Sequence, residues 1–311
     1  MRSRIALASA RAAWGVDPDE GVVLAALRAR GVAAEPAAWD DPAVDWAVFD
    51  LVVLRSTWDY PERLAAFHAW VDAVASVTRM VNPPAVVRGN TDKRYLARLA
   101  DAGVPVVPTW FAEPGEDPAL PRDEPFVVKP AVSAGSRDAV RAEPGETARP
   151  RALIERLHAR GRTVMVQPYL DSVDARGETA VIHLDGVCSH GVRKGPILVP
   201  GAEPLDGLHA PEDLRLRDPR HDERAVAEAA LAALDATGLA YARVDLVDDA
   251  AGAPRVLEVE LTEPSLFLRL APGAPERFAA ALARRLPTRE HGDAPGGAAA
   301  GSGGPGEAVG D

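Results

Sequence analysis

Cysteine is almost absent from this chain of 311 residues: Cys188 stands alone, which excludes an intramolecular disulfide or a cysteine zinc cluster and fits a reducing compartment. Long hydrophobic runs are missing as well. No stretch approaches the roughly 20 apolar residues that span a bilayer. The apolar start Ile5-Ala6-Leu7-Ala8 breaks at Arg11 and Asp17, too early for the core of a signal peptide. Positive charge is in deficit: 35 Lys and Arg against 46 Asp and Glu give 35 − 46 = −11, with a pI of 5.2. That balance argues against a nucleic-acid or anionic-membrane surface. Six of the seven histidines (His68, His158, His183, His190, His209, His221) have no metal-ligand spacing, no Gly-x-Ser-x-Gly elbow occurs, and no internal repeat is visible. What remains is a soluble, cytoplasmic, globular protein, 47% hydrophobic and long enough for two or three modest domains.

The most telling segment that is present lies near the end. Arg243-Val244-Asp245 and Glu258-Val259-Glu260-Leu261 both read as strands, joined by the turn-rich Asp248-Asp249-Ala250-Ala251-Gly252. Side chains alternate along a strand, so Glu258 and Glu260 share one face while Leu257, Val259 and Leu261 share the other. Asp245 points the same way as Arg243. Three acids then converge on an otherwise apolar hairpin, where like charges raise one another's pKa. A hard divalent cation with oxygen ligands resolves the conflict, and Mg2+ does so while bridging phosphates. A solvated outer face is the plainer alternative.

Upstream, the pattern predicts a strand at residues 5–8, then a helix with Asp17 as N-cap, Pro18 at its first position, Glu20 at its third and Gly31 at its end. Strands follow at 32–36 and 49–55. A helix over 61–77 turns Phe67, Val71 and Val74 inward. This βαβ order predicts an α/β domain with a parallel sheet over residues 1–88. Asn90-Thr91-Asp92 reads as the cap of a helix carrying Leu96 and Leu99 and ending at Gly103. Strands are then predicted at 106–110, 126–129, 164–169, 179–184 and 187–194, the last two joined by Asp185-Gly186. A helix at 223–237 buries Val226, Ala230 and Leu234, and another spans 276–286. The Gly/Ala/Ser/Pro-rich residues 288–311 read as a disordered tail.

Four features lie in line with the acidic hairpin. Lys129 closes the apolar strand Phe126-Val127-Val128, placed either to reach solvent or to meet phosphate oxygens in a cleft. The small residues Ser133-Ala134-Gly135-Ser136 allow close approach of a polyphosphate, although they form neither a Walker A nor a Rossmann fingerprint. In Gln167-Pro168-Tyr169-Leu170, Pro168 cannot donate to a sheet ladder, leaving backbone groups free to read an adenine edge or simply marking an edge strand. Arg193-Lys194, at a strand end, is either solvated or set to stabilise transition-state charge. Cys188 reads as a packing residue.

In order and spacing these pieces resemble the ATP-grasp superfamily, in particular its glutathione-synthetase-like carboxylate–amine ligases and the group of the cycloserine-forming O-ureido-serine cyclo-ligase. The resemblance runs from Ile5 to about Leu286. It is carried by Arg55-Ser56-Thr57-Trp58-Asp59-Tyr60, Asn90-Thr91-Asp92-Lys93-Arg94-Tyr95-Leu96, Val128-Lys129-Pro130, Gln167-Pro168-Tyr169, Val192-Arg193-Lys194, Ala242-Arg243-Val244-Asp245-Leu246 and the run from Glu258 to Ser265. It implies an α/β and α+β protein. A pre-ATP-grasp domain at 1–88 precedes an ATP-grasp domain at 89–287, whose smaller lobe lies at 105–170 and which clamps ATP between two lobes.

By that resemblance Lys93 and Lys129 contact the phosphates and the Ser133-Ala134-Gly135-Ser136 loop closes over them. Gln167, Pro168, Tyr169 and Leu170 form the hinge against adenine, and Glu178 meets the ribose. Asp245, Glu258 and Glu260 hold two Mg2+ ions, with Mn2+ as a substitute. Arg193 faces the transferred phosphoryl group, with Lys194 beside it. Arg55, Ser56, Thr57 and Asp59 follow a parallel strand, where open α/β sheets place ligands. They read as contacts to a small amino-acid-like substrate, or as a capped turn with Trp58 as packing. The implied reaction makes an acyl phosphate that an amine attacks, within one molecule or between two, releasing ADP and phosphate. A phosphotransferase and a non-catalytic ATP-binding module are the alternatives, and a homo-oligomer is left open. Two departures stand out: Ala180 follows Glu178-Thr179 where related ligases often carry an arginine, and Gly89 precedes Asn90 where a bulkier residue is usual.

Overall fold

The computed structural model of the chain describes residues 2–202 and 213–287. The expected tail at 288–311 lies outside the described residues. Strand β1 (Arg4–Ser9), helix α1 (Glu20–Ala29), β2 (Ala33–Ala38), β3 (Leu51–Ser56), α2 (Leu64–Val77) and β4 (Met80–Val81) build a parallel sheet of order β2-β1-β3-β4. The apolar runs of β1 and β3 are buried on both faces, as a covered parallel sheet requires. On α2, Phe67, Val71 and Val74 are the buried stripe. Asp17 does not cap α1, which starts at Glu20. Its carboxylate accepts from the Asp19 amide at 2.9 Å, the Ser56 hydroxyl at 2.7 Å and the Arg55 guanidinium at 3.3 Å. A buried arginine needs a counter-ion more than a helix needs a cap.

Helices α3 (Pro84–Asn90) and α4 (Tyr95–Asp101) follow. Asn90 ends α3 and caps nothing. Its side-chain amide donates to the Val259 carbonyl and accepts from the Leu261 amide, both at 2.7 Å, and so grips the last strand of the chain. The short strands β5 (Trp110–Ala112), β6 (Phe126–Pro130), β7 (Val140–Ala142) and β8 (Val164–Pro168), with helix α5 (Ala148–Ala159), form a small antiparallel sheet of order β5-β8-β6-β7. The strand expected at 106–110 is displaced toward Ala112. Instead the Val107 amide donates to the Val256 carbonyl and the Pro105 carbonyl accepts from the Val256 amide, bridging this segment to the neighbouring sheet.

Helix α6 (Ser172–Arg176) leads into β9 (Glu178–Leu184), β10 (Val187–Lys194) and β11 (Leu214–Arg217). Helix α7 (His221–Ala233), β12 (Tyr241–Asp248), β13 (Pro254–Glu260) and α8 (Ala274–Ala283) complete the described chain. The five strands pair antiparallel in the order β11-β10-β9-β12-β13. Asp185 and Gly186 both have positive φ, 56° and 78°, which suits the tight turn read from their sequence. Helix α7 buries Ala227, Ala230 and Leu231; of the expected stripe Ala230 is fully buried, while Val226 and Leu234 are half-buried against the same core.

The N-terminal sheet is not an isolated unit. Ile5, Leu7 and Val53 share one apolar core with Ala180, Ile182 and Tyr241 of the large antiparallel sheet and Phe278 of α8. The Tyr241 hydroxyl lies 3.0, 3.2 and 2.9 Å from the carbonyls of Leu54, Val81 and Thr262. Among the described residues no helix is long and apolar enough to cross a membrane.

Candidate active site

The small sheet and the large antiparallel sheet face each other across one cavity. The chain contains only three lysines, Lys93, Lys129 and Lys194, and all three line it. Strand alternation explains two of them. On β6, Lys129 and Val127 turn inward while Phe126 and Val128 enter the core of the small lobe. On β10, Lys194 turns inward and its neighbour Arg193 turns out. Arg193, expected at the reacting phosphoryl, instead donates to the Arg176 carbonyl at 2.8 Å and to Asp213 at 3.0 Å, and takes no part in the cavity.

Lys93 reaches the cavity from the turn between α3 and α4. Its ammonium donates to the Ser133 carbonyl at 2.9 Å and hydroxyl at 3.1 Å, and pairs with Glu258 at 3.0 Å. One cation therefore ties the Ser133-Ala134-Gly135-Ser136 loop to the acidic hairpin. Within that loop Gly135 and Ser136 have φ of 64° and 58°. Gln167, Pro168, Tyr169 and Leu170 line the opposite end with Val107, Val127, Val173, Ile197, Leu198 and Leu257, an apolar slot. Gln167 donates to Thr109 at 2.9 Å, and the Arg141 guanidinium lies 3.7 Å over the Tyr169 ring.

On the hairpin, Arg243 stands opposite Glu260 and Asp245 opposite Glu258. The register then slips, Leu246 pairing with Val256, so that Leu257 is the extra residue of a bulge. Leu257 therefore faces the cavity and does not join Val259 and Leu261 in the core. Arg243 grips Asp245 with two nitrogens, at 2.9 and 3.0 Å, and also contacts Glu260. Lys194 bridges Glu178 at 2.9 Å and Asp245 at 2.8 Å. Gly177 makes this bridge possible: a Cβ there would lie 2.3 Å from the Lys194 carbonyl oxygen. Ala180, where an arginine was expected, pairs with Asp245 and is buried, and Arg243 supplies the guanidinium on the same face.

Charge is unevenly distributed over these acids. Burial opposes ionisation of Asp245, yet Arg243 and Lys194 bring its pKa down to about 2. Burial likewise opposes the charge on Glu258, and Lys93 and Lys129 hold it below the usual range. For Glu260, burial and repulsion from Glu258 and Asp245 outweigh Arg243 and push the pKa up to about 7. Burial also lowers the Lys129 pKa, against the pull of Glu258. Among the described residues no three acidic, histidine or cysteine side chains form a ready metal cluster. Asp245, Glu258 and Glu260 share a wall, each held by a cation. Carboxylate oxygens gathered on one wall suit a divalent cation arriving with phosphates, because Mg2+ normally takes one or two carboxylates and completes its shell from phosphate and water.

The segment expected to hold the substrate is placed differently. Arg55, Ser56 and Thr57 are buried and face away from the cavity, with Arg55 and Ser56 engaged by Asp17. Asp59 accepts from the Trp39 indole at 2.8 Å and from Arg63. Trp58 and Tyr60 point inward instead. With Glu263 and Ser265 they wall a second chamber that opens onto the first at Lys93, Arg243, Glu258 and Glu260. Arg243 and Leu257 were within reach of sequence reasoning, one by alternation from Asp245 and the other hidden only by the bulge. Glu263 and Tyr60 carried no signal beyond their nearness to recognised segments.

Two facing antiparallel lobes around a lysine-rich, acid-walled cleft define an ATP-grasp enzyme, and comparison with known proteins agrees. The solved structure of the D-cycloserine synthetase DcsG superposes with a TM-score of 0.85 at 42% identity, covering 92% of this chain and all of that one. A D-alanine–D-alanine ligase from Bacillus anthracis complexed with ATP shares the fold at 15% identity and a TM-score of 0.64, over 92% of this chain and 98% of that one. The family described as D-cycloserine synthetase DcsG, N-terminal domain, matches residues 5–82. The cycloserine biosynthesis protein DcsG of Streptomyces lavendulae is 43% identical over 299 residues, 91% of this chain and 98% of that protein. The chain belongs to the DcsG family of ATP-grasp ligases, enzymes that form carbon–nitrogen bonds.

Proposed function

We propose that the protein is an ATP- and Mg2+-dependent carboxylate–amine ligase that activates a small amino-acid-like carboxylate as an acyl phosphate and closes it onto an amine of the same molecule. The observation that carries this reading is the convergence of all three lysines and the three hairpin acids on one cavity with an apolar slot at its far end. The slot, with Gln167, Pro168, Tyr169 and Leu170, suits an adenine, and Glu178, on the same lining, would meet the ribose. Lys93, Lys129 and the Ser133-Ala134-Gly135-Ser136 loop neutralise and enclose the phosphates. Asp245, Glu258 and Glu260 are the residues that would hold two Mg2+ ions, with Mn2+ as a substitute. When bound, the metal would neutralise the charge of the nucleotide.

The carboxylate oxygen of the substrate attacks the γ-phosphorus, ADP departs, and an acyl phosphate forms. A nitrogen then attacks the acyl carbon and phosphate leaves. Arg243, at the junction of nucleotide cavity and second chamber, and Lys194, inside the nucleotide cavity, take the role expected of Arg193: they would face charge that develops during transfer. Positioning and charge neutralisation account for most of such a reaction. The kinship with DcsG makes O-ureidoserine the first substrate to test, and a cyclic product in one-to-one ratio with ADP is expected. Hydroxylamine added to the reaction traps an acyl phosphate as a hydroxamate. ADP formation with a phosphorylated hydroxyl and no hydroxamate would mark a phosphotransferase. Nucleotide binding without turnover would mark a binding module, and AMP with pyrophosphate would contradict the reading.

A further inference from the structure

Five carboxylates line the joined cavities, and four have a cation at ion-pair distance. Glu178 and Asp245 have Lys194, Glu258 has Lys93, and Glu260 has Arg243. Glu263 is the fifth. It is 8% exposed, it lines the second chamber, and among the described residues its carboxylate has no hydrogen-bond or ion-pair partner. Its backbone is fixed, because the Trp58 indole donates to the Glu263 carbonyl at 3.2 Å and Arg55 donates to the next carbonyl, that of Pro264, at 3.3 Å. Across the same chamber stands Tyr60, 4% exposed and stacked on Phe67 with ring centroids 5.0 Å apart. Its hydroxyl also has no partner among the described residues. Neither oxygen is among the fully enclosed side-chain atoms, so both open onto the chamber, where a mostly buried carboxylate without a protein partner is costly. Such a pair marks a place built for a ligand.

We propose that this chamber receives the cationic amine of the amino-acid substrate, with Glu263 as its counter-ion, the Tyr60 hydroxyl as a second contact and the Trp58 and Tyr60 rings as its walls. The inference rests on the ligase reading above and adds which part of the substrate is recognised, and by what. Burial, with repulsion from Glu260 and Glu258, pushes the Glu263 pKa well above the usual carboxylate range, so the empty chamber disfavours the bare anion and an arriving ammonium restores it. A third metal ion fits less well. Glu263 is absent from the nucleotide cavity, and aromatic walls suit a weakly hydrated organic cation better than hydrated Mg2+. The amine docked at Glu263 leaves the substrate's carboxylate to point through the shared opening toward Arg243 and the phosphates.

Calorimetric titration of the full chain, saturated with Mg-ADP, compares O-ureidoserine with its N-acetyl derivative, which has the same carboxylate but no cationic amine. Wild type is expected to bind the free amine at least tenfold more tightly. Glu263→Gln is expected to lose that preference while still binding Mg-ADP. Tyr60→Phe should weaken the free amine severalfold and leave the N-acetyl compound unchanged. Equal binding of the two compounds by wild type overturns the inference alone and needs no variant. An undiminished preference in Glu263→Gln overturns it too. Failure of wild type to bind either compound overturns the ligase reading, and the inference with it.

Discussion

Lys194 and Asp245 meet at 2.8 Å at a point where both side chains are almost fully enclosed, and the same ammonium reaches Glu178. Replacing Lys194 with methionine leaves two acids short of a donor. Arg243 still holds Asp245, so the stability loss is expected to be about 1–3 kcal/mol by urea denaturation. Activity suffers more, with kcat down by roughly 10²–10³-fold in a coupled ADP assay.

Arg193 gives the opposite expectation. It lies outside the cavity in a partly exposed pair with Asp213. Arg193→Ala should keep kcat/KM within about threefold and change stability by less than about 1 kcal/mol. A loss comparable to that of the Lys194 variant would return Arg193 to the reaction.

Glu258→Gln and Lys129→Ala remove charges that face each other across the cleft. Each is expected to reduce turnover by more than about 10²-fold while circular dichroism stays native. Wild-type rates from both would count decisively against the site.

Gly177 permits β9 and β10 to close at the Lys194–Glu178 bridge. An alanine there carries a Cβ into the Lys194 carbonyl and must hold φ near 78°. Overpacking of this kind costs about 1–3 kcal/mol, which a melting curve reads directly. Because the strain falls on the bridge itself, kcat should drop along with Tm.

Asp17 and Arg55 form a buried pair remote from the cavity. Burial works against the Asp17 charge, but Arg55, Ser56 and the Asp19 amide bring its pKa below the ordinary 3.8. The stabilisation is therefore complete above 3.8 and disappears as pH falls through the lower folded value. Asp17→Asn leaves Arg55 buried without a counter-charge and should cost about 3 kcal/mol at neutral pH. Denaturation curves taken at successively lower pH should show that gap narrowing only below 3.8.

Much of the cavity lining was legible because strand alternation is a local rule. Glu258 and Glu260 had to share a face, whereas alternation alone leaves Lys129 between solvent and cleft, and the placement of β6 turns it inward with Val127. The failures mark where local rules stop. Arg193 and Lys194 are adjacent, and only the pairing of β10 with β9 decides which one enters the cleft. Leu257 was misplaced because a bulge depends on the partner strand. Asp17 and Asn90 look like caps in sequence, yet tertiary partners claim them: a buried guanidinium for one, the backbone of β13 for the other. The turn after β3 was recognised as important, but its outward and inward residues were exchanged, since the direction of Trp58 and Tyr60 depends on a chamber built from residues 200 positions later.

The Tyr241 hydroxyl, wedged among carbonyls of Leu54, Val81 and Thr262, rivets three stretches of chain into one block. Any opening that admits a nucleotide is then expected in the small sheet, a jaw set against a fixed skull. Amide exchange should accordingly be faster across β5–β8 than around Tyr241, and saturating nucleotide should slow the jaw while leaving the skull unchanged.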